Sequence, residues 1–314
     1  MINEWKAVLR EKTDEWNLPA GGEWRFLFFN NYQPHYTTLT VLWFHDGGAF
    51  PRVVTKLFRK AAIPRQEFEN LAYVYSCVPD MVPRPLHFGP AGEFWALWME
   101  GVPGLPISAR REYPREVLRS MVEMVLSMHS AVRRPVAESA HDRYHRLVTQ
   151  PLHALTEFGV SSAVREGCAK LAARVRADSL VPLDSIPQHG DLFAGNVLID
   201  RRQWSVIDWE SYGAVDLPFY DVFTLLFSLL RVRGESPDHW DSSVVKEVPA
   251  LIDRYTAGLS LPPTVVPFLL PLSLANWFHV QYRDGRKDFA HRMYRTMEDY
   301  FQNTNAWERV FIGQ

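Results

Sequence analysis

The sequence predicts an α+β fold in two lobes, a small antiparallel β lobe followed by a larger, mainly helical lobe. The chain has 314 residues, which exceeds the size at which one hydrophobic core usually keeps growing. Short β-like runs separated by polar turns dominate residues 24–58, whereas amphipathic helical periodicity dominates from residue 114 onward. We therefore expect an N-terminal lobe at 1–100 and a C-terminal lobe at 101–314.

Composition and charge exclude several classes of protein. Hydrophobic residues make up 47% of the chain, charged residues make up 22%, and the formal net charge is −2, so no charge excess favours nucleic acid or a membrane. The longest apolar run, Leu217–Leu230, contains Asp221 and is too short to cross a bilayer. The charged, amphipathic N-terminus is unlike a signal peptide. Two distant cysteines, Cys77 and Cys168, predict reduced thiols and a cytoplasmic location.

The N-terminal lobe is predicted to start with a helix at Asn3–Trp16 and to continue as an antiparallel meander. Its strands are predicted at Trp24–Phe29, Thr37–Phe44 and Arg52–Phe58. The third strand, VVTKLF, places Lys56 among apolar residues. A half-buried lysine needs an anionic partner there, unless the strand is an edge strand and the side chain faces water.

Helices are predicted next, interrupted by one more strand. A helix begins near Pro64 and carries Glu67, and a strand follows at Phe94–Met99. Apolar residues at helical spacing then predict helices at Pro114–Ala131 and Ser161–Arg176.

The most informative stretch, residues 188–221, reads QHGDLFAGNVLIDRRQWSVIDWESYGAVDLPFYD. Two apolar runs, Asn196–Ile199 and Trp204–Ile207, flank a polar turn at 200–203 and predict a β-hairpin. Asp191 precedes the first strand and Asp208 follows the second. We expect the hairpin to bring Asp191, Asn196 and Asp208 together at one end.

These residue types suit metal-assisted phosphoryl transfer. One aspartate can position a hydroxyl, while an asparagine and a second aspartate are hard oxygen ligands of the kind that Mg²⁺ prefers. The alternative is a surface hairpin with polar ends. The five-residue spacing from Asp191 to Asn196, found also in protein-kinase catalytic loops, favours the catalytic interpretation.

HGDLFAGN followed by VIDWE resembles the catalytic motif and metal-binding segment of the aminoglycoside phosphotransferase / choline kinase-like family. The resemblance implies a protein-kinase-like fold and an ATP- and Mg²⁺-dependent small-molecule kinase. It implies that Asp191 faces the acceptor hydroxyl and that Asn196 and Asp208 bind Mg²⁺. It further implies that Lys56 contacts the nucleotide phosphates and pairs with Glu67, with Glu69 as the alternative partner because the helix phase is open.

The resemblance also implies supporting roles. His189 would hold the loop backbone, and Asp221, which opens a helix, would be buried and hydrogen-bonded to that loop. Glu210 would either contact the metal through water or order the turn after Asp208.

The base site is predicted at the segment that resembles a hinge between lobes, where backbone groups bind adenine, and a plain strand followed by a turn is the alternative. Trp98, Glu100 and Gly101 lie in this segment. The loop at 30–35 contains no glycine, although glycine-rich loops let backbone N–H groups approach phosphates. The loop over the phosphates is therefore unassigned, and GTP remains an alternative to ATP.

The acceptor is the least constrained part of the prediction. From Arg231 onward the chain has ten Lys/Arg and ten Asp/Glu, which gives no support to a polycationic acceptor. Several aromatic residues would form either a cage for a quaternary ammonium or simply a helical core: Trp240, Trp277, Phe278, Tyr282 and Tyr294.

We expect a small acceptor with a neutral or anionic character, such as a saccharide, and no nucleic-acid or membrane partner. The alternatives are an aminoglycoside or macrolide phosphotransferase and a choline- or ethanolamine-type kinase. A catalytically silent kinase-like binding module is the alternative from another class.

Overall fold

The computed structural model describes residues 2–33, 36–110, 112–133, 137–175, 180, 183–201, 203–230, 240 and 242–313. The chain divides into two compact units. Unit 1 comprises Met1–Ala109 with Gly195–Ser211, and unit 2 comprises Arg110–Ala194 with Tyr212–Gln314. The predicted α+β fold is confirmed, because unit 1 contains antiparallel sheets and unit 2 is mainly helical.

The main sheet of unit 1 has five strands in the order β1-β2-β3-β5-β4, and all neighbours are antiparallel. The strands are β1 Trp24–Gln33, β2 Tyr36–His45, β3 Val53–Phe58, β4 Pro85–Ala91 and β5 Phe94–Glu100. The first two strands are longer than predicted, since residues 30–33, expected in a loop, continue the ladder up to the pair Gln33 and Tyr36. Residues 34 and 35 of that loop lie outside the described residues.

Strand register assigns each side chain to one face of this sheet, because successive side chains alternate between faces. Lys56 pairs with Thr40 and Leu97, whereas its neighbour Thr55 pairs with Val41 and Trp98. Lys56 and Trp98 therefore lie on opposite faces.

The face that carries Trp98 is covered by a cluster of buried indole rings. Helix α1, Ile2–Glu11, contributes Trp5 to this core, and Trp98 lies 5.5 Å from Trp16 and 6.2 Å from Trp43 between ring centroids. The helix is shorter than predicted, because the chain leaves it at Glu11 and continues in turns to a left-handed Asn17.

The remaining elements of unit 1 are helix α2, Ala62–Cys77, and a three-stranded sheet. That sheet contains β6 Leu105–Pro106, β7 Val197–Asp200 and β8 Gln203–Val206. The predicted hairpin is confirmed, with pairs from Val197 and Val206 to Asp200 and Gln203. Residue 202 of its turn lies outside the described residues.

Unit 2 consists mainly of helices. They are α3 Arg115–Val132, α4 Ala140–Tyr144, α5 Gln150–Phe158, α6 Ser162–Arg174, α7 Tyr220–Leu230, α8 Ser242–Val245, α9 Val248–Gly258, α10 Val266–Arg283, α11 Lys287–Gln302 and α12 Thr304–Ile312. The predicted helices at 114–131 and 161–176 correspond to α3 and α6, and residue 176 lies outside the described residues. Helices α7 and α10 are buried on almost every face and form the core. Within the described part of the chain, no helix combines the length and apolar character needed to span a membrane.

Candidate active site

Lys56 lies between two carboxylates in unit 1. Its Nζ is 2.5 Å from Oε1 of Glu67 and 2.5 Å from Oδ1 of Asp208. Burial would lower the pKa of Lys56, but the charges of Asp208 and Glu67 outweigh it and raise that pKa above its ordinary value. Lys56 is therefore held as an ammonium in a fixed position.

Glu67 is directed into the unit by the phase of helix α2. Glu67, Leu71 and Val74 are buried on one face of α2, whereas Glu69 is exposed. Burial raises the pKa of Glu67 to about 7, against the opposing effect of Lys56. Its second oxygen, Oε2, is buried without a hydrogen-bond partner among the described residues.

Asn196 and Asp208 lie at the same end of the hairpin. The N–H of Ile207 donates to the carbonyl of Asn196 at 3.0 Å, which closes the hairpin beside Asp208. Asp208 has a φ of 72°, a left-handed conformation that aspartate tolerates better than most residues. A second backbone bond, from Val206 N–H to Met81 O at 2.8 Å, attaches the hairpin to the rest of unit 1.

Glu210 adds a third carboxylate to this region. One oxygen from each of Glu67, Asp208 and Glu210 lies within 4.8 Å of the others. The amide of Asn70 on α2 donates to the carbonyl of Trp209 at 3.2 Å, so the helix and the turn after Asp208 are tied together. Clustered carboxylates with a partnerless buried oxygen fit a hard cation such as Mg²⁺, for which oxygen ligands are preferred.

The predicted catalytic loop, His189-Gly190-Asp191, lies in unit 2 and is held by Asp221. Oδ2 of Asp221 accepts from the His189 N–H at 2.6 Å, and Oδ1 accepts from the Gly190 N–H at 3.1 Å. Gly190 has a φ of 87°, which suits glycine. The N–H of Asp191 donates to Nδ1 of His189 at 3.3 Å. The ring of His189 therefore contacts the loop backbone.

Asp191 belongs to unit 2, whereas Asn196 and Asp208 belong to unit 1. The structure brings Asn196, Asp208 and Lys56 together within unit 1. The joint arrangement of all three hairpin residues stays a prediction, as do the roles of the individual residues.

Sequence reasoning missed three buried polar residues around Asp221. Gln188 accepts from the Asp221 N–H at 3.0 Å and donates to the carbonyl of Ile186 at 2.7 Å. His129 contacts Oδ2 of Asp221 at 3.1 Å and the hydroxyl of Tyr255 at 2.6 Å. One signal was present, because His129 interrupts the apolar face of α3 and a buried polar group requires a partner.

The predicted base-binding residues have partners within the sheet. The N–H of Glu100 donates to Arg84 O at 2.8 Å, and the N–H of Gly101 donates to Arg52 O at 2.9 Å. The ring of Trp98 is packed in the indole cluster on the face opposite Lys56. These two N–H groups and this ring are therefore engaged in the fold, and base binding at this segment stays a prediction.

An apolar surface lies on the same sheet face as Lys56. By register, Phe29 pairs with Thr40 and Leu27 with Leu42, which places both β1 side chains on that face. Phe29 is 51% exposed and Leu27 is 56% exposed. The polar motifs of the sequence give no sign of this surface, because strand register decides which side chains share a face.

Charged residues at the C-terminal end of α10 act on Tyr220 at the start of α7. Burial raises the pKa of Tyr220 well above its ordinary value, and the charges of Asp221 and Asp191 add to this effect. Asp284 raises it further, whereas Arg283 lowers it. The same end of α10 carries charges of both signs, since Nε of Arg283 lies 3.3 Å from Oδ1 of Asp284.

His279, one turn before Arg283, is half-buried and adds a polar group to this region. Burial lowers the pKa of His279, and the neighbouring Arg283 lowers it further. Its Nδ1 is buried without a hydrogen-bond partner among the described residues.

The aromatic residues considered for a cation cage are mostly part of the core. Trp240 lies 4.7 Å from Trp307 between ring centroids, and Phe278 has no exposed surface. Tyr282 is 45% exposed but stacks on Phe278 at 5.7 Å. This packing favours the core interpretation.

Solved structures share the fold at low sequence identity. A thermostable aminoglycoside phosphotransferase APH(4)-Ia, in a ternary complex with ADP and hygromycin B, aligns with a TM-score of 0.57 and 13% identity over 94% of this chain and 98% of that chain. Aminoglycoside phosphotransferase APH(3'')-Id from Streptomyces rimosus aligns with a TM-score of 0.51 and 15% identity over 88% of this chain and 100% of that chain. Plasmodium vivax ethanolamine kinase aligns with a TM-score of 0.52 and 13% identity over 92% of this chain and 84% of that chain. No curated protein sequence matches this chain significantly.

The sequence itself matches a family profile. The profile of the phosphotransferase enzyme family (APH) matches residues 39–262, which is most of the chain and includes Lys56, Glu67 and the stretch from Asp191 to Asp208. The predicted resemblance is confirmed. Members of this family phosphorylate hydroxyl groups of small molecules. This chain belongs to the phosphotransferase enzyme family and is a small-molecule kinase.

Proposed function

We propose that this kinase transfers the γ-phosphate of ATP to a hydroxyl of a small neutral or anionic acceptor, such as a saccharide, with Mg²⁺ as the metal. The observation that carries the proposal is the position of Lys56 between Glu67 and Asp208. Phosphoryl transfer requires a fixed cation at the nucleotide phosphates and hard oxygen ligands for a metal. Lys56 supplies the first, and Asp208 with Asn196 supplies the second.

Each residue then has a defined task. Glu67 keeps Lys56 in position, so that its ammonium binds phosphate oxygens without first having to be ordered. Asp191 accepts a hydrogen bond from the acceptor hydroxyl and directs its oxygen toward the γ-phosphate. Asn196 and Asp208 hold Mg²⁺, which when bound neutralises charge on the phosphates. Glu210 supports the metal site from the turn that follows Asp208.

The nucleotide base is assigned to the Lys56 face of the main sheet. The exposed side chains of Leu27 and Phe29 offer the apolar surface on which a purine ring can stack. The backbone of the segment from Trp98 to Gly101 remains the proposed source of polar contacts to the base. Solved relatives bind ADP or AMP-PNP, which favours an adenine nucleotide over GTP.

The acceptor is assigned to the region of the catalytic loop and the end of α10. Arg283 and Asp284 give this region charges of both signs rather than the acidic lining that a polycation needs, and His279 adds a polar ring. This mixture favours a polyhydroxylated neutral or anionic acceptor. The second candidate is an aminoglycoside antibiotic, because the structural relatives include enzymes crystallised with hygromycin B and with streptomycin.

Thermal shift with ATP and GTP, each with and without Mg²⁺, tests the nucleotide and metal sites. A nucleotide at a hundred times its dissociation constant should stabilise the fold by about 2.7 kcal/mol if it binds only the folded state. We expect a shift with ATP that requires Mg²⁺. No shift with either nucleotide in a well-folded sample would favour a silent kinase-like binding module.

Phosphate transfer from ATP to a panel of acceptors then tests the acceptor class. The panel contains neutral sugars, sugar acids, aminoglycosides, macrolides, choline and ethanolamine. Turnover with sugars or sugar acids is the expected result. Turnover confined to aminoglycosides would replace the saccharide with the second candidate.

A further inference from the structure

A cavity of about 340 Å³ lies between helices of unit 2. Its wall is formed by α6, the beginning of α10, the end of α11 and the start of α12. Among the described residues that line it, none belongs to the set proposed for phosphoryl transfer. The volume falls within the range of about 300–1,000 Å³ that is typical of small-molecule sites. The cavity is therefore large enough for a ligand of its own.

Small and rigid residues account for this space. Ala163 and Gly167 are one turn apart on α6, and Pro267 and Pro271 are spaced in the same way on α10. Alanine, glycine and proline have no alternative rotamers with which to close the cavity. The ring of Phe301 packs so tightly on Gly167 that a Cβ there would lie 2.2 Å from Cγ of the ring. The cavity is consequently a fixed feature of the fold.

Two cationic side chains line the cavity. Lys170 and Arg174 are one turn apart and share a face of α6. Neither has an ion-pair partner among the described residues. Burial raises the pKa of the Tyr300 hydroxyl, the charge of Glu308 raises it further, and the charge of Arg174 lowers it. The guanidinium of Arg174 therefore lies near the hydroxyl of Tyr300, which is also part of the wall.

The balance of charge in the wall sets the charge of the ligand. Glu166 also lines the cavity and offsets one of the two positive charges of Lys170 and Arg174, so the lining keeps one net positive charge. A cation in the last turn of a helix is ordinary by itself, because it offsets the negative end of the helix. Here two such cations without ion-pair partners border an enclosed space. That combination suits a ligand with a single negative charge.

The apolar part of the wall sets the shape of the ligand. Phe301 presents an aromatic ring, and the rings of Pro267 and Pro271 lie on α10. A flat aromatic ligand buries much apolar area against such rings and loses little conformational freedom on binding.

We propose that this cavity is a binding site for a small aromatic monoanion, a flat apolar ring that carries one carboxylate. The ring packs against Phe301 and the proline rings, and Lys170 and Arg174 bind the carboxylate. The site shares no residue with the proposed phosphotransfer site. The proposal therefore does not depend on the proposed function.

The first test compares two probes that share a ring and differ in charge. The probe is 2-naphthoate, and 2-naphthamide is its uncharged control. Saturation-transfer NMR titrations of the full chain measure both affinities. We expect a Kd for 2-naphthoate of about 1 mM or lower, and binding of 2-naphthamide that is at least about fivefold weaker. No binding of 2-naphthoate, or equal affinity for the two probes, would overturn the proposal.

Charge variants on α6 then locate the probe. K170Q and R174Q should each weaken the binding of 2-naphthoate about three- to fivefold, the size expected for a partly exposed charge pair. R165Q is the matched control, because Arg165 is exposed on the same helix and does not line the cavity. It should bind the probe as the wild type does. Lys170 and Arg174 are exposed too, so the fold should survive in all three variants. An equal loss in R165Q would overturn the proposed carboxylate contacts.

A163W and Mg²⁺–ATP test the position of the probe in two further ways. The indole of A163W should fill the cavity and abolish binding while the charges stay in place, and unchanged affinity in this variant would overturn the proposal. Saturating Mg²⁺–ATP should leave the affinity for 2-naphthoate unchanged, because the nucleotide contacts are proposed in unit 1. Competition would assign the probe to the nucleotide site and overturn the proposal. A protein that binds 2-naphthoate but not Mg²⁺–ATP would contradict only the proposed function.

Discussion

Nζ of Lys56 and Oδ1 of Asp208 lie 2.5 Å apart although 152 positions separate the two residues in the sequence. Strand β3 supplies the lysine, and the residue just after β8 supplies the aspartate. The contact gives Asp208 two tasks in the proposed mechanism, since the same carboxylate pairs with Lys56 and binds the metal. A change at Asp208 should therefore affect nucleotide binding as well as turnover.

D208N should lower ATP turnover at least about a thousandfold, because it removes the charge of a proposed metal ligand and one of the carboxylate charges that hold Lys56. Asparagine tolerates the left-handed backbone at this position, so the fold should survive. Initial rates measure the first effect, and thermal shift with ATP in the presence and absence of Mg²⁺ measures the second. We expect the Mg²⁺-dependent part of the shift to disappear.

D200N is the matched control for D208N, because Asp200 lies at the turn end of the same hairpin. It should keep both the turnover and the Mg²⁺-dependent shift of the wild type. Turnover in D208N equal to that of D200N would remove the metal role of Asp208.

E67Q should change how stability depends on pH. Burial raises the pKa of Glu67 from 4.5 to about 7, so between these values the folded protein retains a proton that the unfolded chain has released. The free energy of unfolding must then fall as the pH rises through this window. Glutamine does not titrate, and E67Q should therefore flatten the curve of thermal midpoint against pH between 4.5 and 7.

E69Q provides the comparison on the same helix, because Glu69 is exposed. It should reproduce the slope of the wild type. If E67Q also keeps the wild-type slope of thermal midpoint against pH, then Glu67 does not release its proton between pH 4.5 and 7.

G101A should destabilise the fold through a steric clash. A Cβ at this position would lie 2.1 Å from the carbonyl oxygen of Pro51, and the local backbone is already fixed by the bond from Gly101 N–H to Arg52 O. The expected loss is about 3 kcal/mol. The midpoint of thermal unfolding measures the loss.

G92A separates this clash from the effect of backbone conformation. Gly92 has a φ of 67° but open space around its Cα, so alanine there should cost only about 1–2 kcal/mol. If the thermal midpoint of G101A equals or exceeds that of G92A, the close approach of Pro51 does not restrict the side chain at position 101.

The two cysteines should differ in reactivity toward a thiol reagent at pH 8. Both are free, but Cys168 is buried, and burial raises its pKa to about 12, whereas Cys77 is half-buried. The thiolate is the reactive form, so Cys168 should remain unmodified in the folded protein. Titration with a chromogenic disulfide should give about one thiol per folded chain and two in denaturant. Reaction of the folded C77S variant would contradict this assignment.

The parts of the site that the sequence predicts are those set by local spacing. The hairpin at 196–207 and the carboxylates at its ends follow from apolar runs, a polar turn and fixed offsets along the chain. The pairing of Lys56 with an acidic residue of the next helix follows instead from the family resemblance. The choice between Glu67 and Glu69 does not, because the phase of α2 depends on which of its faces packs against the rest of unit 1.

Other features depend on contacts that no local pattern encodes. The ladder of β1 and β2 continues through Asn30 and Asn31, since backbone groups can pair whatever side chains they carry. The contact between His129 and Tyr255 joins residues 126 positions apart. Both residues lie in amphipathic helices, where the periodicity predicts burial but cannot name the polar partner.

The hairpin β7–β8 has a consequence for how such enzymes can be recombined. The chain leaves unit 2 after Ala194, supplies Asn196 and Asp208 to unit 1, and returns to unit 2 at Tyr212. A gene fragment that encodes residues 1–109 would therefore carry Lys56 and Glu67 without the proposed metal ligands Asn196 and Asp208. Exchanging unit 1 between relatives requires two separate inserts, so single-crossover chimaeras divide Lys56 from Asp208, the aspartate that it contacts.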